Sequence, residues 1–437
     1  MAVSGEGVAG REPPRRRALI LAAEYPPVGG GGVIRIAKLV KYLPEFGWDL
    51  TVICSDEPSP PMTDPDLLAD VEGKGTVVKV RGPLRAVGAA AGPVKRAAGQ
   101  GGRGRAVVRL LKSAVNTLAF PDRWIGWAWK ASRLAATDYG NPDVVIATGP
   151  PFSAWVAARW IAHRLGVPYV LDVRDDWAGN PRFSTRAPLR DRLVRRVERR
   201  LMAGAALVAV ISEASKAAHL RRHPGFGPRL AIIPNGFDPE DFEGVPQGSL
   251  ERDPDELDFL FAGSIHGFDA RPALEAFGTW VRGVKSGPRP VLTILGEVLP
   301  DQAAAAEAAI PAANLRLESS VPHRAAIERM QQADVLVLLL REVEVPEMLT
   351  GKLFEYVAAR RPILAISGPC AATELITRLG VGGAVDPKGN ADDTLTRVVS
   401  LARDPAFRGA PEGEIALFDR RAQAALLSDR LEAMLSP

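Results

Sequence analysis

The feature that most constrains this chain is an alternation: short apolar runs rich in β-branched residues recur between longer segments of helical period. The runs Ala18 to Ala23, Leu50 to Cys54, Val144 to Ala147, Tyr169 to Val173, Leu207 to Ile211 and Ala231 to Ile233 form a first set. Between them lie stretches such as RIAKLVKYLPEF and SAWVAARWIAHRLG, the second closing on Gly166, a residue that tolerates the positive φ of a helix C-terminus. Strands that lack polar alternation are buried on both faces, so the pattern predicts a parallel sheet with helices on either side. The passage IIPNGFDPEDFEGVPQGSLERDPDELD has no period, and after it the alternation restarts with FLFAG, PVLTILG, LRLES, DVLVLLL, PILAIS and GGAVD. The restart predicts a second α/β domain, and two such units in tandem leave a cleft beyond the carboxyl ends of their strands.

At 437 residues the chain is long enough to need two cores. Lys plus Arg against Asp plus Glu stand at 55 to 51, a balance that argues against a dedicated nucleic-acid binder and leaves room for a phosphate-bearing small ligand. Cys54 and Cys370 are far apart and neither lies in a CxxC pair, so neither a zinc site nor a disulfide framework is expected, and a reducing cytoplasm fits. The run Ala18 to Ala23 is too short for a signal peptide, and no stretch approaches the ~18 apolar residues of a membrane span. Any membrane contact is therefore expected to be peripheral. The basic stretch VKRAAGQGGRGRAVVRLLKSAVNTLAF, followed by Trp124, Trp127 and Trp129, is compatible with an anionic membrane surface. A solvated helix with tryptophans packed inside the first domain is the slightly favoured alternative.

Four motifs carry candidate chemistry. Gly29 to Gly32 precede a helix expected to begin near Ile34, so backbone N–H groups and a helix N-terminus can approach a phosphate or sugar. The pattern is neither GxGxxG nor GxxxxGK[ST], so dinucleotide and P-loop readings have no support. In VLDVRDDWAGNP, Asp172, Arg174, Asp175 and Asp176 crowd the end of a strand, where charges must pair or face a ligand. For each member an internal Arg–Asp pair and acceptor binding or proton transfer stand about equal. In FLFAGSIHGFDARPALEAF, a Gly263-Ser264 turn and His266 follow a strand, and Arg271 precedes a proline at a helix start, a geometry that suits a diphosphate if Arg271 is not simply solvated.

The fourth motif, VPEMLTGKLFEYVAARRPIL, follows the strongest apolar run. Thr350 is a candidate N-cap for a helix over Gly351 to Ala359, and Lys352, Glu355 and Tyr356 share one of its faces. A lysine in the first turn suits two phosphates, a glutamate one turn later suits ribose hydroxyls, and Glu347 in the loop is within reach of a hexose. The competing picture is a capped surface helix with a Lys352–Glu355 ion pair, worth only tenths of a kcal/mol.

These motifs, with PDRWIGWAWKA, TGPPFSAWVAA, VISEAS and IIPNGFDPEDF, occur in an order that resembles retaining glycosyltransferases of family 4, and within them a bacterial subgroup with a T-G-K-x-F-E-Y donor loop. The resemblance implies a GT-B fold, in which two Rossmann-like domains face across a cleft. It implies a disordered tail over 1–16, an acceptor domain over 17–235, a donor domain over 236–415, and a C-terminal helix over 416–437 returning to the first domain. Carried over by position, the Glu-x7-Glu pattern falls on Glu347 and Glu355, which would orient the donor hexose and hold the ribose. Lys352 and Arg271 would bear the diphosphate, with Asp172 and Arg174 beside the reacting centre. Gly30, Gly31, Gly263, Ser264, His266, Gly351 and Leu353 complete the donor side; Arg35, Pro151, Asp175 and Trp177 form the acceptor side. Ser264 stands where many members carry arginine.

The implied reaction moves a sugar from a nucleoside-diphosphate sugar to a hydroxyl of a sugar, lipid-linked or small-molecule acceptor, with retention of anomeric configuration. Polysaccharide, glycolipid or natural-product glycoside synthesis is the expected setting. No metal or further cofactor is expected, and the Asp-Pro-Asp triplets at Asp64 to Asp66 and Asp253 to Asp255 read as turns. A nucleotide-sugar binder without transfer, and a nucleotide-sugar epimerase of related fold, are the alternatives.

Overall fold

The structure is a computed structural model and describes residues 15–56, 63–82, 119–138, 140–184, 187–245, 253, 255–265, 269–340, 347, 349–389 and 392–436. Most of the basic stretch before the tryptophans, together with His266, lies outside the described residues.

The first half builds seven strands: β1 (Arg16–Leu21), β2 (Trp48–Ser55), β3 (Thr76–Val80), β4 (Val144–Gly149), β5 (Tyr169–Val173), β6 (Leu207–Val210) and β7 (Leu230–Ile232). They form one parallel sheet in the order β3-β2-β1-β4-β5-β6-β7, with Leu19 paired to Thr51 on one side and to Val145 on the other. The interleaved helices are α1 (Gly31–Tyr42), α2 (Pro65–Val71), α3 (Ile125–Asp138), α4 (Ser153–Leu165), α5 (Pro188–Gly204) and α6 (Glu213–Arg222). Both faces of the sheet are covered, as its unbroken apolar strands require. Trp127 of α3, Trp155 of α4 and Leu201 of α5 cover one face; Ile36 and Leu39 of α1 cover the other.

The second half repeats the plan with β8 (Glu256–Ala262), β9 (Arg289–Leu295), β10 (Leu315–Glu318), β11 (Val335–Leu339), β12 (Ile363–Ile366) and β13 (Gly382–Val385), parallel in the order β10-β9-β8-β11-β12-β13. Its helices are α7 (Arg271–Gly283), α8 (Pro300–Ala309), α9 (His323–Gln332), α10 (Gly351–Ala358), α11 (Ala371–Leu379), α12 (Asp392–Arg403) and α13 (Glu412–Ala416). The last helix, α14 (Arg420–Leu435), crosses back: Leu427 and Leu431 are buried among α1 and β2 residues, and Trp48 Nε1 donates to Ser428 Oγ at 2.8 Å. Each such leucine contributes roughly 1.5–3 kcal/mol by burial, enough to fix the crossing.

In each sheet the strand order reverses once, between β1 and β4 and between β8 and β11. Chains leave such a reversal in opposite directions and open a crevice at the carboxyl ends of the strands. The glycine loop follows β1, Gly149 to Pro151 follow β4, Gly263 follows β8, and the loop entering α10 follows β11. The motifs read from sequence are thus gathered at the two crevices.

The chain passes between the halves twice, and the two passes pair. Phe237 N donates to the Phe418 carbonyl at 2.9 Å and Arg420 N to the Phe237 carbonyl at 3.0 Å. A Cβ on Gly236 would collide with the Phe418 carbonyl, so this approach requires glycine. Beside the crossing, Asp238 is buried and accepts from Lys38 at 2.5 Å, Lys41 at 2.7 Å and Tyr42 Oη at 2.5 Å. Burial alone would raise its carboxyl, but the two ammonium groups prevail and hold it down at about 2. Lys38 also touches Asp70 at 2.6 Å and Asp241 at 2.9 Å, so its ammonium fills the space these three carboxylates enclose. Of the two Asp-Pro-Asp triplets expected to be turns, the first is a helix start, with Asp64 capping α2 through Leu67 N and Pro65 and Asp66 in its first turn; at the second, Asp253 accepts from Asp255 N.

Candidate active site

The wall from the first half begins at the glycine loop. Gly30 adopts a φ of 121° and occupies the N-cap of α1, where it offers no side chain to the first amides; the first turn carries no acid. This helix starts three residues earlier than the sequence suggests, so the glycines themselves form its open positive end. Arg174 reaches over the loop: a Cβ on Gly32 would collide with its Nη1. Its Nη2 donates to the Pro150 carbonyl, while its buried Nε has no partner among the described residues. Burial lowers the guanidinium pKa, against the pull of Asp172 and Asp175. Asp175 beside it is half-buried, and burial raises its carboxyl despite Arg174 and Arg182.

Other residues assigned to this wall are internal. Arg35 is 1% exposed and uses its donors on Asp172 at 2.7 Å, the Ile233 carbonyl at 2.9 Å, the Pro234 carbonyl at 2.7 Å and Asn235 Oδ1 at 3.3 Å. Five N–H groups are all a guanidinium has, so none is left for an acceptor. Asp172 completes this pair and also accepts from Thr148 at 2.8 Å; burial would raise it, but Arg35 holds it below its ordinary range. Both are structural, in place of the acceptor and catalytic roles expected. Trp177 is likewise a core residue, 3% exposed and stacked on Phe152 at 4.6 Å. Pro151 remains half-exposed at the end of β4. Asp176 accepts from Arg222 at 2.6 Å and from Gly179 N, a pair that braces the loop.

The opposite wall centres on Lys352. Its Nζ lies 4.1 Å from the Phe261 ring centroid and presses on Gly263, where a Cβ would collide with it. Gly263 has a φ of 141°, so glycine is required both by conformation and by this approach. No described carboxylate pairs with Lys352; burial brings its ammonium down to about 8, countered only by Glu355 at longer range. The Lys352–Glu355 ion pair of a plain surface helix is therefore not formed. Thr350 occupies the N-cap of α10 but its hydroxyl makes no cap and is buried without a partner among the described residues, beside half-exposed Gly351. Ser264 is half-buried after Gly263. Leu353 corrects the sequence assignment: it is 0% exposed and belongs to the core beneath α10, with its amide bonded to the Thr350 carbonyl. Arg271 is also displaced from its expected role, since Asp269 two residues earlier captures its guanidinium at the surface.

Contacts among the described residues cross between the walls. Glu347 accepts from Arg221 Nη2 of α6 at 3.2 Å. Glu355 contacts His323 Nε2 at 3.2 Å, and His323 Nδ1 lies 3.8 Å from Asp241, the residue that Lys38 of the first half also holds. Despite burial, Glu355 and Asp241 raise the His323 pKa to about 9. Arg420, the first residue of α14, is 3% exposed with an Nε unpartnered among the described residues; burial lowers it to about 9, Arg35 acts in the same direction, and Glu355, Asp172 and Asp238 oppose both. His323, Arg420 and Arg221 escaped the sequence reading. The available signals were a proline before a helix at Pro322 and a capping aspartate at Asp419, which mark helix starts but not what they face.

Two parallel α/β domains with facing crevices and a C-terminal helix that crosses back define the GT-B class of fold. Residues 30–236 match the family profile described as glycosyl transferase 4-like domain. Among solved structures, Anabaena Alr3699/HepE in complex with UDP and glucose is similar at a TM-score of 0.61 and 15% identity, over 96% of this chain and 100% of that one. Sucrose-phosphate synthase from Thermosynechococcus elongatus is similar at 0.63 and 15%, over 96% and 99%. AviGT4, a glycosyltransferase involved in avilamycin A biosynthesis, is similar at 0.55 and 14%, over 97% and 98%. At these identities the likeness is one of fold. No curated protein matches the chain by sequence.

Proposed function

We propose that this protein is a glycosyltransferase that moves a sugar from a nucleoside-diphosphate sugar to an acceptor hydroxyl with retention of anomeric configuration. The observation that carries this reading is Lys352: an ammonium without a carboxylate partner among the described residues, held over Gly263 in the first turn of α10, at the crevice of the second sheet. A buried unpaired cation is costly unless an anion completes it. The orphaned Thr350 hydroxyl at the same helix end is a second unfilled partner for a phosphate oxygen. Glu355, one turn on, would accept the ribose hydroxyls, and the α1 N-terminus with Arg174 would close over the transferred sugar.

In this scheme the bond between the anomeric carbon and the diphosphate oxygen breaks first, leaving an oxocarbenium-like centre. A phosphate oxygen of the leaving group takes the proton of the incoming hydroxyl, and the new bond forms on the same face. Countercharge from Lys352 and the oriented amides of α10 lowers the barrier by stabilising the diphosphate as it departs. We propose that these groups serve without a metal. Half-buried Asp175, beside Arg174, would hydrogen-bond the acceptor hydroxyl.

The UDP complexes of the similar Alr3699/HepE support a nucleotide-sugar donor. One arrangement favours the second reading, a nucleotide-sugar binder impaired in transfer: Glu347 is engaged by Arg221 and Arg271 by Asp269. A thermal-shift panel of UDP-, GDP-, ADP- and dTDP-sugars tests the pocket, since a ligand at a hundred times its dissociation constant adds about 2.7 kcal/mol. Release of nucleoside diphosphate on addition of acceptors then tests transfer. A melting point that no nucleotide moves would overturn both readings; stabilisation without turnover would favour the second.

A further inference from the structure

We propose that helix α5 is a docking surface for an anionic lipid bilayer. Its sequence, PLRDRLVRRVERRLMAG, places Arg192, Arg195, Arg196, Arg199 and Arg200 at helical intervals of three and four, and all five are exposed. At 100° per residue they share, with Leu189 and Leu193, an arc of about 160°. None of the five forms an ion pair with a described carboxylate. The helix has two acids, and neither relieves the stripe: Glu198 is 0% exposed and bonded to Ala178 N and His223, while Asp191 accepts from Ser184. Like charges at these spacings repel, where an ordinary solvated helix interleaves acids. The stripe is thus poised for an external array of negative charge.

The apolar residues distinguish a bilayer from a soluble polyanion. Leu189 is 78% exposed and Leu193 45%, both bordering the arginines. A polyanion in water offers them nothing, whereas the acyl boundary beneath lipid headgroups does. In the same helical layer over the sheet, α3 and α4 expose Trp129 at 49% and Trp160 at 42%, the residue type favoured at membrane interfaces. Alongside α5 runs a groove of about 590 Å³ whose rim includes Arg192, Arg195 and Arg199 and whose wall includes Arg222 and His223, a place for phosphate headgroups. α5 is the helix that follows β5 in the chain, and Arg174 and Asp175 stand just past the carboxyl end of that strand. Docking along α5 would therefore bring the cleft mouth to the lipid surface.

The test is flotation of the full-length protein with vesicles of phosphatidylcholine alone or mixed with phosphatidylglycerol. The expected result is binding to the mixed vesicles only, released by raised salt. Arg195→Gln with Arg199→Gln should weaken partitioning about thirtyfold, at about 1 kcal/mol for each arginine near an anionic surface. Leu189→Ser with Leu193→Ser should weaken it further at fixed salt, while melting temperature and donor hydrolysis stay at the wild-type values. Equal partitioning onto phosphatidylcholine, or no effect of either double variant, would overturn the proposal. So would binding of a short DNA duplex that matches vesicle binding and survives the leucine changes, because the surface would then be a polyanion site.

Discussion

His323→Ala gives the sharpest test of how the two halves are coupled. The imidazolium lies between Glu355 at 3.2 Å and Asp241 at 3.8 Å, and its pKa is raised from 6.5 to about 9. A base with a raised folded-state pKa contributes stability that is complete below the unfolded value and is lost as pH rises through the folded one. Here the window runs from 6.5 to about 9. The shift sets a ceiling of about 3 kcal/mol, and one direct charge-assisted hydrogen bond supports roughly 1.5–3 kcal/mol. Wild-type curves alone do not isolate this effect. Lys352 and Arg420 have lowered pKa values, so their burial opposes stability at neutral pH and relaxes as pH rises. Subtracting the His323→Ala curve removes these contributions and leaves the packing loss of the deleted ring as an offset that does not change with pH. The gap between wild type and variant should therefore be about 2 kcal/mol larger near pH 6 than near pH 10, measured by urea denaturation with equal m-values. A gap that is the same at both pH values would refute the charge-bridge reasoning and leave His323 as a packing residue.

Lys352→Met should reduce transfer at least a hundredfold, a loss of about 2.7 kcal/mol or more, without lowering the melting point, since it removes an uncompensated buried charge. In the unmodified protein, UDP affinity should fall as pH rises through about 8, where Lys352 loses its proton; calorimetric titrations across that range that show constant affinity would contradict the assigned role. Asp238→Asn removes the negative charge and one of the two oxygens that Lys38, Lys41 and Tyr42 bond, and should cost about 3 kcal/mol, read as a fall in melting temperature.

Much of this architecture is legible in the sequence because parallel strands buried on both faces leave unbroken apolar runs, which occur twice in the same rhythm. The α10 segment was legible for a related reason: an N-terminal Thr-Gly-Lys and a helical face are local properties. What escaped is non-local. Arg35 looked like an acceptor contact because its partner Asp172 is 137 positions away, and Asp238 meets Lys38 across 200 positions. Trp177 looked like an acceptor contact because nothing in the chain announces that Phe152 will stack on it. Arg271 is the exception, since Asp269 stands two residues away and proximity alone argued for their pair.

The distinction that separates structural from functional charge here is whether a partner is present, not whether the group is buried. Arg35, Lys38, Lys41 and Asp238 are all buried, and each is matched by opposite charge and hydrogen bonds. They lock the linker to α1, where both chain crossings run side by side. Arg420 is buried and Arg174 and Lys352 are half-buried; all three lack a carboxylate partner among the described residues, and desolvation lowers the pKa of each. A folded chain keeps such groups only where a ligand's negative charge offsets their desolvation. Glu355 links the two sets, since His323 ties it to the hinge network through Asp241 while Lys352 and Arg420 sense its charge. A nucleotide that draws Glu355 onto its ribose would therefore loosen His323 from one of its two acids. On the proposed reading, donor binding and the set of the two domains would be coupled through that imidazolium.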